Sequence, residues 1–410
     1  MRVLHVAYSL GESSAATRIA KASLNENDIL FFLGRRSSYS LVRDRQVYPL
    51  LTNIIGVFFH CINILVNKVM RVKQGEIFST GFFWRIQAIL LRLAIKKLKI
   101  DALHIHWGGY SFLPLQALTD LPIKIIITAH DYNYFTGGCH VPMSCDHMLN
   151  DCKSCPLVKR KGLGELLVIY LKRKRKRVLF RIKNNIKVVA PSNYTAGLIL
   201  RSHPFLDVVV IPNPLDAIYT HETVSERLEF YEAAFKKRGG RYQLLVVGVV
   251  DSTRDNKGYN TLVKSISTLS DMRQDFDLIE VAGTATGYSS GRSECIKSLT
   301  STELAKIYSS ADLCLVPSRY ETFSQVTLES ISVGTPVVAF DLSGPVDIIE
   351  QDKTGSLVES FNENKFSKAV EEYLTFKAEN LGVIKNDIGN LRDRFSPLLI
   401  ASEYQRLYKC

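Results

Sequence analysis

The stretch DLCLVPSRYETFSQVTLESISVGTPVVA, residues 312–339, decides the fold. Its first part, residues 312–318, reads as a short buried strand, because an unbroken apolar run marks a parallel strand covered on both faces. Residues 318–324 read as a loop. Residues 325–333 read as a helix that stops at Gly334. Glu321 therefore stands on a loop beyond the carboxyl end of a strand, where open α/β sheets take their ligands. Glu329, eight residues on, falls in the helix. The N–H groups of Phe323, Ser324 and Gln325 open that helix, and such amides suit an anion such as a phosphate. The plain alternative is a pair of solvated carboxylates near the positive end of a helix dipole.

The same alternation extends in both directions. Apolar runs suited to buried strands occur at residues 3–7, 29–33, 102–106, 124–128, 188–190 and 208–211, then at 243–249, 278–282, 313–316 and 337–340. Helical patterns fall between them, at 14–24, 84–98, 193–201, 258–269 and 302–309. This predicts an α/β protein of two Rossmann-like parallel-sheet domains, and 410 residues suffice for both. Pro212, Asn213 and Pro214 interrupt any helix or ladder. The expected division is residues 1–211, residues 212–394, and a closing helix at 395–410 that returns to the first domain. A cysteine-rich insertion at 137–157 and a basic helix at 163–183 belong to the first part.

The stretch at 303–339 resembles the E-x7-E region of retaining glycosyltransferases of family 4, which have the GT-B fold of two domains facing a central cleft. The Pro212–Asn213–Pro214 turn is similar to the family's inter-domain turn, with Pro214 where a glycine is usual. The resemblance implies transfer of a sugar from a nucleotide donor to a glycan acceptor, the expected acceptors being lipid-linked glycans of bacterial surface polysaccharides. It implies that Lys257, beside Gly258, meets the donor diphosphate, where a fixed cation stabilises the leaving charge. Glu329 would accept from the ribose hydroxyls and Glu321 from the transferred sugar. His130, in the strand-end pair His130–Asp131, would approach that sugar. Gly11 resembles the loop beneath the phosphates. Catalysis is expected to retain configuration without a metal or other cofactor, the leaving phosphate taking the acceptor proton.

One departure bears on activity. Gly248 is followed by Val249 where the family carries arginine, and Arg254 is the nearest cation that could substitute. An inactive scaffold that binds nucleotide or glycan is thus the competing reading.

Two further clusters stand apart. Cys139, Cys145, Cys152 and Cys155 lie within 17 residues and end in a Cys-x2-Cys knuckle. Their spacing favours a structural zinc in a reducing compartment, with free thiols or a disulfide as alternatives. The cations Lys172, Arg173, Lys174, Arg175, Lys176 and Arg177 follow an apolar run at 166–171. They read either as a solvated face or as an interfacial helix on an anionic membrane. The net charge of +12 agrees with anionic partners. A nucleic-acid partner is disfavoured, since the run lacks interleaved aromatics. With no signal peptide, and with the apolar segment 54–66 too short to span, the expected location is cytoplasmic, at the inner membrane face.

Overall fold

The computed structural model describes residues 1–7, 14–23, 29–32, 47–49, 61–62, 64–66, 68–69, 84–107, 113–142, 145–158, 162–219, 244–250, 257–272, 276–282, 293–296, 299–379 and 388–409. Gly11, Arg254 and most of the apolar segment 54–66 lie outside them. The chain forms two compact units. The first comprises residues 1–213 and 400–410, and the second residues 214–399.

The first unit carries a seven-stranded parallel sheet. Its strands are β1 (Val3–Ala7), β2 (Ile29–Phe32), β3 (Val47–Pro49), β4 (Ala102–Ile105), β5 (Lys124–Thr128), β6 (Ile186–Ala190) and β7 (Val208–Val210), in the order β3-β2-β1-β4-β5-β6-β7. Helices α1 (Ala15–Ser23), α2 (Trp84–Leu98), α3 (Leu163–Ile182) and α4 (Asn193–Ser202) connect them. The second unit repeats the plan with six strands, β8 (Leu244–Val250), β9 (Phe276–Ala282), β10 (Ser293–Ile296), β11 (Leu313–Val316), β12 (Val337–Phe340) and β13 (Gly355–Val358). Their order is β10-β9-β8-β11-β12-β13. Its helices are α5 (Tyr259–Met272), α6 (Ser301–Ser310), α7 (Gln325–Ser332), α8 (Glu363–Glu379) and α9 (Ile388–Arg394). A last helix, α10 (Pro397–Lys409), carries the chain back into the first unit. In both sheets the order reverses beside the first strand of the unit, the kind of switch point at which open α/β sheets bind ligands.

Strand β11 shows why the sheet is buried on both sides. Leu313 and Leu315 join the cluster of Leu262, Ile266, Phe366 and Val370, whereas Cys314 and Val316 join that of Tyr308, Leu328 and Ile331. Side chains alternate along a strand, so two such clusters require two helical layers. Helix α6 begins with a capping box. The Thr300 hydroxyl accepts from the Glu303 N–H, and the Glu303 carboxylate accepts from the Thr300 N–H.

In the first unit, the sheet face beneath α10 changes character along the strands. Val3, Ala102 and Ile126 pack against Ile400 and Tyr404. One register step further, His5, His104 and Thr128 replace them, and the tyrosine hydroxyls of α10 supply partners. His104 Nδ1 lies 2.7 Å from the Tyr408 hydroxyl, and its Nε2 lies 2.8 Å from Thr128 Oγ1.

Three strands, β3, β10 and β13, are missing from the sequence reading, and all three are sheet edges. An edge strand lacks the second neighbour that demands an apolar run, so Ser293-Glu294-Cys295-Ile296 and Gly355-Ser356-Leu357-Val358 carry a weak signal. Leu398 and Leu399 of α10 are exposed, and Ile400, Ala401, Tyr404 and Tyr408 form its buried stripe. Among the described residues no helix is long and apolar enough to cross a membrane.

Candidate functional site

In the second unit, Lys257 and Glu321 meet at the carboxyl ends of β8 and β11. Lys257 Nζ donates to Glu321 Oε1 at 2.6 Å, and both side chains keep partial access to solvent. The contact depends on Gly258. Its φ is +70°, and a Cβ there would lie 1.8 Å from the Pro317 carbonyl oxygen at the end of β11. Only glycine allows this approach, so the Lys-Gly pair sets Lys257 against the loop that carries Glu321.

That loop is pinned from the neighbouring turn. The Glu321 N–H donates to Ser343 Oγ at 3.0 Å, and the Gly344 N–H donates to the Glu321 carbonyl at 3.1 Å. A Cβ on Gly344 would collide with the Phe323 backbone at 2.0 Å. Ser343 and Gly344 are therefore site-supporting residues that the sequence reading passed over. The dipeptide at the end of β12 was the available signal.

Ser324 caps α7 in the left-handed region, with φ 81° and ψ 77°. Non-glycine residues seldom take this conformation, and it concentrates where function needs it. Phe323 is buried, so only its backbone can serve a ligand. The Gln325 amide has both its nitrogen and its oxygen buried without a hydrogen-bond partner. Glu329 sits in the second turn of α7 and is 4% exposed. It faces Cys314, whose thiol burial pushes up to about 12. The short helix is closed behind it by Gly334 and Thr335, whose Oγ1 donates to the Tyr308 carbonyl at 2.5 Å. Lys257, Glu321, Phe323, Ser324 and Gln325 thus share one strand-end region, with Glu329 one turn further into the helix. Val249 lies within β8.

In the first unit, His130 follows β5. Its Nε2 is 3.5 Å from His106 Nδ1, and His106 Nε2 is 3.1 Å from His5 Nδ1. Burial drives all of these imidazoles towards the neutral form. His130 falls to about 4 despite the opposing Asp131 carboxylate, His5 falls to about 3, and His104 and His106 lie well below their ordinary value. His104 and His106 were not singled out from sequence, although a His-x-His pair places both rings on one face of a strand. Asp131 accepts from the Asn133 N–H, and its Oδ2 lies 2.5 Å from His140 Nδ1. A pocket beside this corner is lined by His106, Trp107, Asp131, Asn133 and Tyr134.

The basic run requires a correction. It lies on α3, but Lys172 and Arg175 are buried. Lys172 Nζ donates to the Phe135 carbonyl and to Ser202 Oγ, both at 2.7 Å. Arg175 Nη1 donates to the carbonyls of Asn133 at 2.8 Å and Thr136 at 3.1 Å. Desolvation pulls Lys172 down to about 8 and Arg175 to about 10. Six consecutive cations cannot share one face of a helix at 100° per residue; these two turn inward and hold the turn at 133–136, just before the insertion. Arg173, Lys176 and Arg177 are exposed and Lys174 is half-buried.

None of the four cysteines of the insertion is in a disulfide. Burial pushes Cys139, Cys152 and Cys155 upward, Cys155 to about 11. Among the described residues, the one group of three or more metal-ligating side chains with donor atoms within 4.8 Å of each other is His5, His104 and His106. The four cysteines do not form such a group.

Two family profiles match the chain. The profile described as Glycosyltransferase Family 4 covers residues 63–218, and that described as Glycosyl transferases group 1 covers residues 241–375. The D-inositol 3-phosphate glycosyltransferase of Corynebacterium aurimucosum is 28% identical over 218 residues, which is 49% of this chain and 50% of that protein. The matches span between 18% and 50% of the lengths of these curated relatives. Sucrose-phosphate synthase from Thermosynechococcus elongatus superposes with a TM-score of 0.69 at 16% identity, covering 100% of this chain and 98% of that one. The Anabaena protein HepE, in complex with UDP and glucose, gives 0.66 at 14% identity, covering 100% and 99%. The two-sheet α/β architecture is that of GT-B proteins.

Proposed function

The chain belongs to glycosyltransferase family 4, and from that premise we propose that it transfers a sugar, with retention of configuration, from a nucleotide-sugar donor to a glycan acceptor. The observation that carries this reading is the 2.6 Å contact between Lys257 and Glu321 at the strand ends of the second unit. A cation held beside a carboxylate offers a diphosphate a counter-charge and a sugar hydroxyl an acceptor, side by side. Lys257 takes the diphosphate and stabilises the charge that develops as the anomeric bond breaks. The opening amides of α7, at Phe323, Ser324 and Gln325, add to it. Glu329 accepts from the ribose and Glu321 from the transferred sugar. Gly11 and Arg254 are assigned to the phosphates as well.

His130 contributes a neutral imidazole, suited to hydrogen bonding with a sugar hydroxyl and not to carrying charge. The leaving phosphate takes the proton of the acceptor hydroxyl, so no metal is required at the step. Glu321→Ala and Lys257→Ala test the reading. Each should abolish transfer from a nucleotide sugar while leaving the circular dichroism spectrum unchanged. Full turnover by either variant would refute the assignment. A wild type that binds nucleotide without transferring would favour the inactive scaffold, for which Val249 is the motivating residue.

We further assign the acceptor to a lipid-linked glycan at an anionic cytoplasmic membrane face. Helix α3 supports this. Its exposed side includes Leu163, Leu166, Tyr170 and Phe180 together with Arg173 and Arg177, positions that recur every three or four residues. Apolar side chains flanked by cations suit an interfacial helix on anionic lipid.

A further inference from the structure

Three imidazoles form a chain across the first sheet. His5 lies on β1, His106 directly follows β4, and His130 closely follows β5. His5 Nδ1 is 3.1 Å from His106 Nε2, and His106 Nδ1 makes a longer contact of 3.5 Å with His130 Nε2. Successive rings are close to parallel, at 11° between His5 and His106 and 25° between His106 and His130. His5 is 1% and His106 2% exposed, so water does not stand in for either partner. At the inner end, His5 Nε2 is buried with no hydrogen-bond partner. His104 stands beside the chain and not in it. Its two nitrogens meet the hydroxyls of Tyr408 and Thr128, and a hydroxyl can donate or accept as required.

Burial keeps the three rings of the chain neutral. A neutral imidazole has one N–H and one bare nitrogen. Each nitrogen–nitrogen contact holds one proton, so the chain has only two proton arrangements. In the first, His130 donates from Nε2 to His106, and His106 donates from Nε2 to His5. His5 is then left with its proton on Nε2, a buried N–H with no acceptor. In the second, His5 donates from Nδ1 to His106 Nε2, and His106 donates from Nδ1 to His130 Nε2. His130 then carries its own proton on Nδ1, and the unmatched atom at His5 is a bare nitrogen. Buried N–H groups without an acceptor are rarer in folded proteins than under-satisfied acceptors, which favours the second arrangement.

We propose that His5 and His106 are positioning residues that fix the tautomer of His130, with its proton on Nδ1 and its Nε2 accepting from His106. The hydrogen bond made by one ring nitrogen decides which of the two bears the proton. His130 then meets a sugar only as a donor, from Nδ1, and so selects a hydroxyl or ring oxygen at that point. This deepens the assignment of His130 to the transferred sugar and rests on it. The tautomer itself is a property of the free protein and is read without substrate.

The test is the tautomer of His130 in full-length protein labelled with 15N-histidine. Long-range proton–nitrogen correlations report it, and loss of the signal in His130→Gln identifies the ring. Wild type should show a single tautomer with the proton on Nδ1. His106→Leu removes the donor, so both tautomers should appear, and kcat should fall about tenfold while the donor KM changes less than about twofold. His106→Asn puts a carboxamide N–H where the Nδ1–H stood. It should restore the single tautomer and bring kcat to within about threefold of wild type, a rescue that a merely space-filling role would not give. His5→Leu should also release the tautomer, since the chain of donation starts there. A proton on Nε2 of His130 in wild type would overturn the proposal, as would an unchanged tautomer in His106→Leu. A stoichiometric metal ion held by His5, His104 and His106 would overturn it too, because the metal would occupy nitrogens that the chain shares. The wild-type spectrum decides even if the variants fail to fold. Absence of transfer by wild type would refute the sugar assignment and leave the tautomer to be judged by the spectrum alone.

Discussion

Lys257 Nζ and Glu321 Oε1 stand 2.6 Å apart although 64 residues separate them, so the cation assigned to the donor diphosphate is partly neutralised until a donor arrives. Glu321→Gln removes the competing charge and keeps the shape. A nucleoside diphosphate without its sugar should bind this variant about 3- to 10-fold more tightly than wild type, since a half-exposed pair is worth about 1 kcal/mol. Transfer should fall at least about 100-fold. Calorimetry with nucleoside diphosphate reads the first effect and a transfer assay the second. Weaker diphosphate binding by the variant would contradict the competition.

Gly258 sets the geometry of that pair. Gly258→Ala puts a Cβ against the Pro317 carbonyl and a side chain at φ +70°. The second unit should lose more than about 2 kcal/mol of stability, combining left-handed strain with a backbone collision. Thermal unfolding would register this as a fall of several degrees, and nucleotide affinity should drop with it. Gly389→Ala, where an added Cβ meets nothing within 4 Å, is the control.

Acid should weaken the first unit before the second. His5, His104, His106 and His130 are held neutral with folded pKa values below the ordinary 6.5. The unfolded chain therefore binds more protons below pH 6.5. The stabilisation is complete above that pH and declines as pH falls towards about 4 for His130 and about 3 for His5. Each group removes about 1.4 kcal/mol per pH unit within its window. Asp131 favours protonation of His130 and offsets its burial only in part, while His104 meets the neutral hydroxyls of Tyr408 and Thr128. Unfolding followed by circular dichroism between pH 7 and 4.5 should show falling stability, and a flat profile would contradict the burial of these rings.

The membrane assignment makes a divided prediction for one helix. Exchanging Arg173, Lys176 and Arg177 for alanine should reduce co-sedimentation with anionic vesicles, at about 1 kcal/mol per cation, and leave the fold intact. Lys172→Ala and Arg175→Ala should instead destabilise the protein, because both hold the turn at 133–136 through its carbonyl groups. Equal vesicle binding by wild type and the triple variant would remove the bilayer from the account.

Much of this was legible in the chain, for identifiable reasons. The strand–loop–helix at Leu313–Val316 and Gln325–Ser332 could be read because a buried parallel strand and a glycine stop each leave a local pattern. The edge strands β3, β10 and β13 could not, since a strand with a single neighbour need not carry an apolar run; β7, also an edge, kept one. The inward turn of Lys172 and Arg175 was invisible for a different reason. A run of like charges reads as solvated unless backbone carbonyls elsewhere in the chain receive it, and those at Phe135, Asn133 and Thr136 lie more than 30 residues away. The support of Glu321 by Ser343 is equally long-range. Hydrophobic periodicity records which face is buried, not which polar group waits there.

The central claim is that the Lys257–Glu321 region of the second unit binds a sugar nucleotide. Titration calorimetry of wild type and Lys257→Ala against a panel of UDP-, GDP- and ADP-sugars tests it most directly. The account predicts saturable binding of at least one donor by wild type, and a loss of at least about 30-fold in affinity on removing the ammonium, about 2 kcal/mol for a charge-assisted contact. No binding of any sugar nucleotide by folded wild type, or equal affinity in the variant, would contradict it.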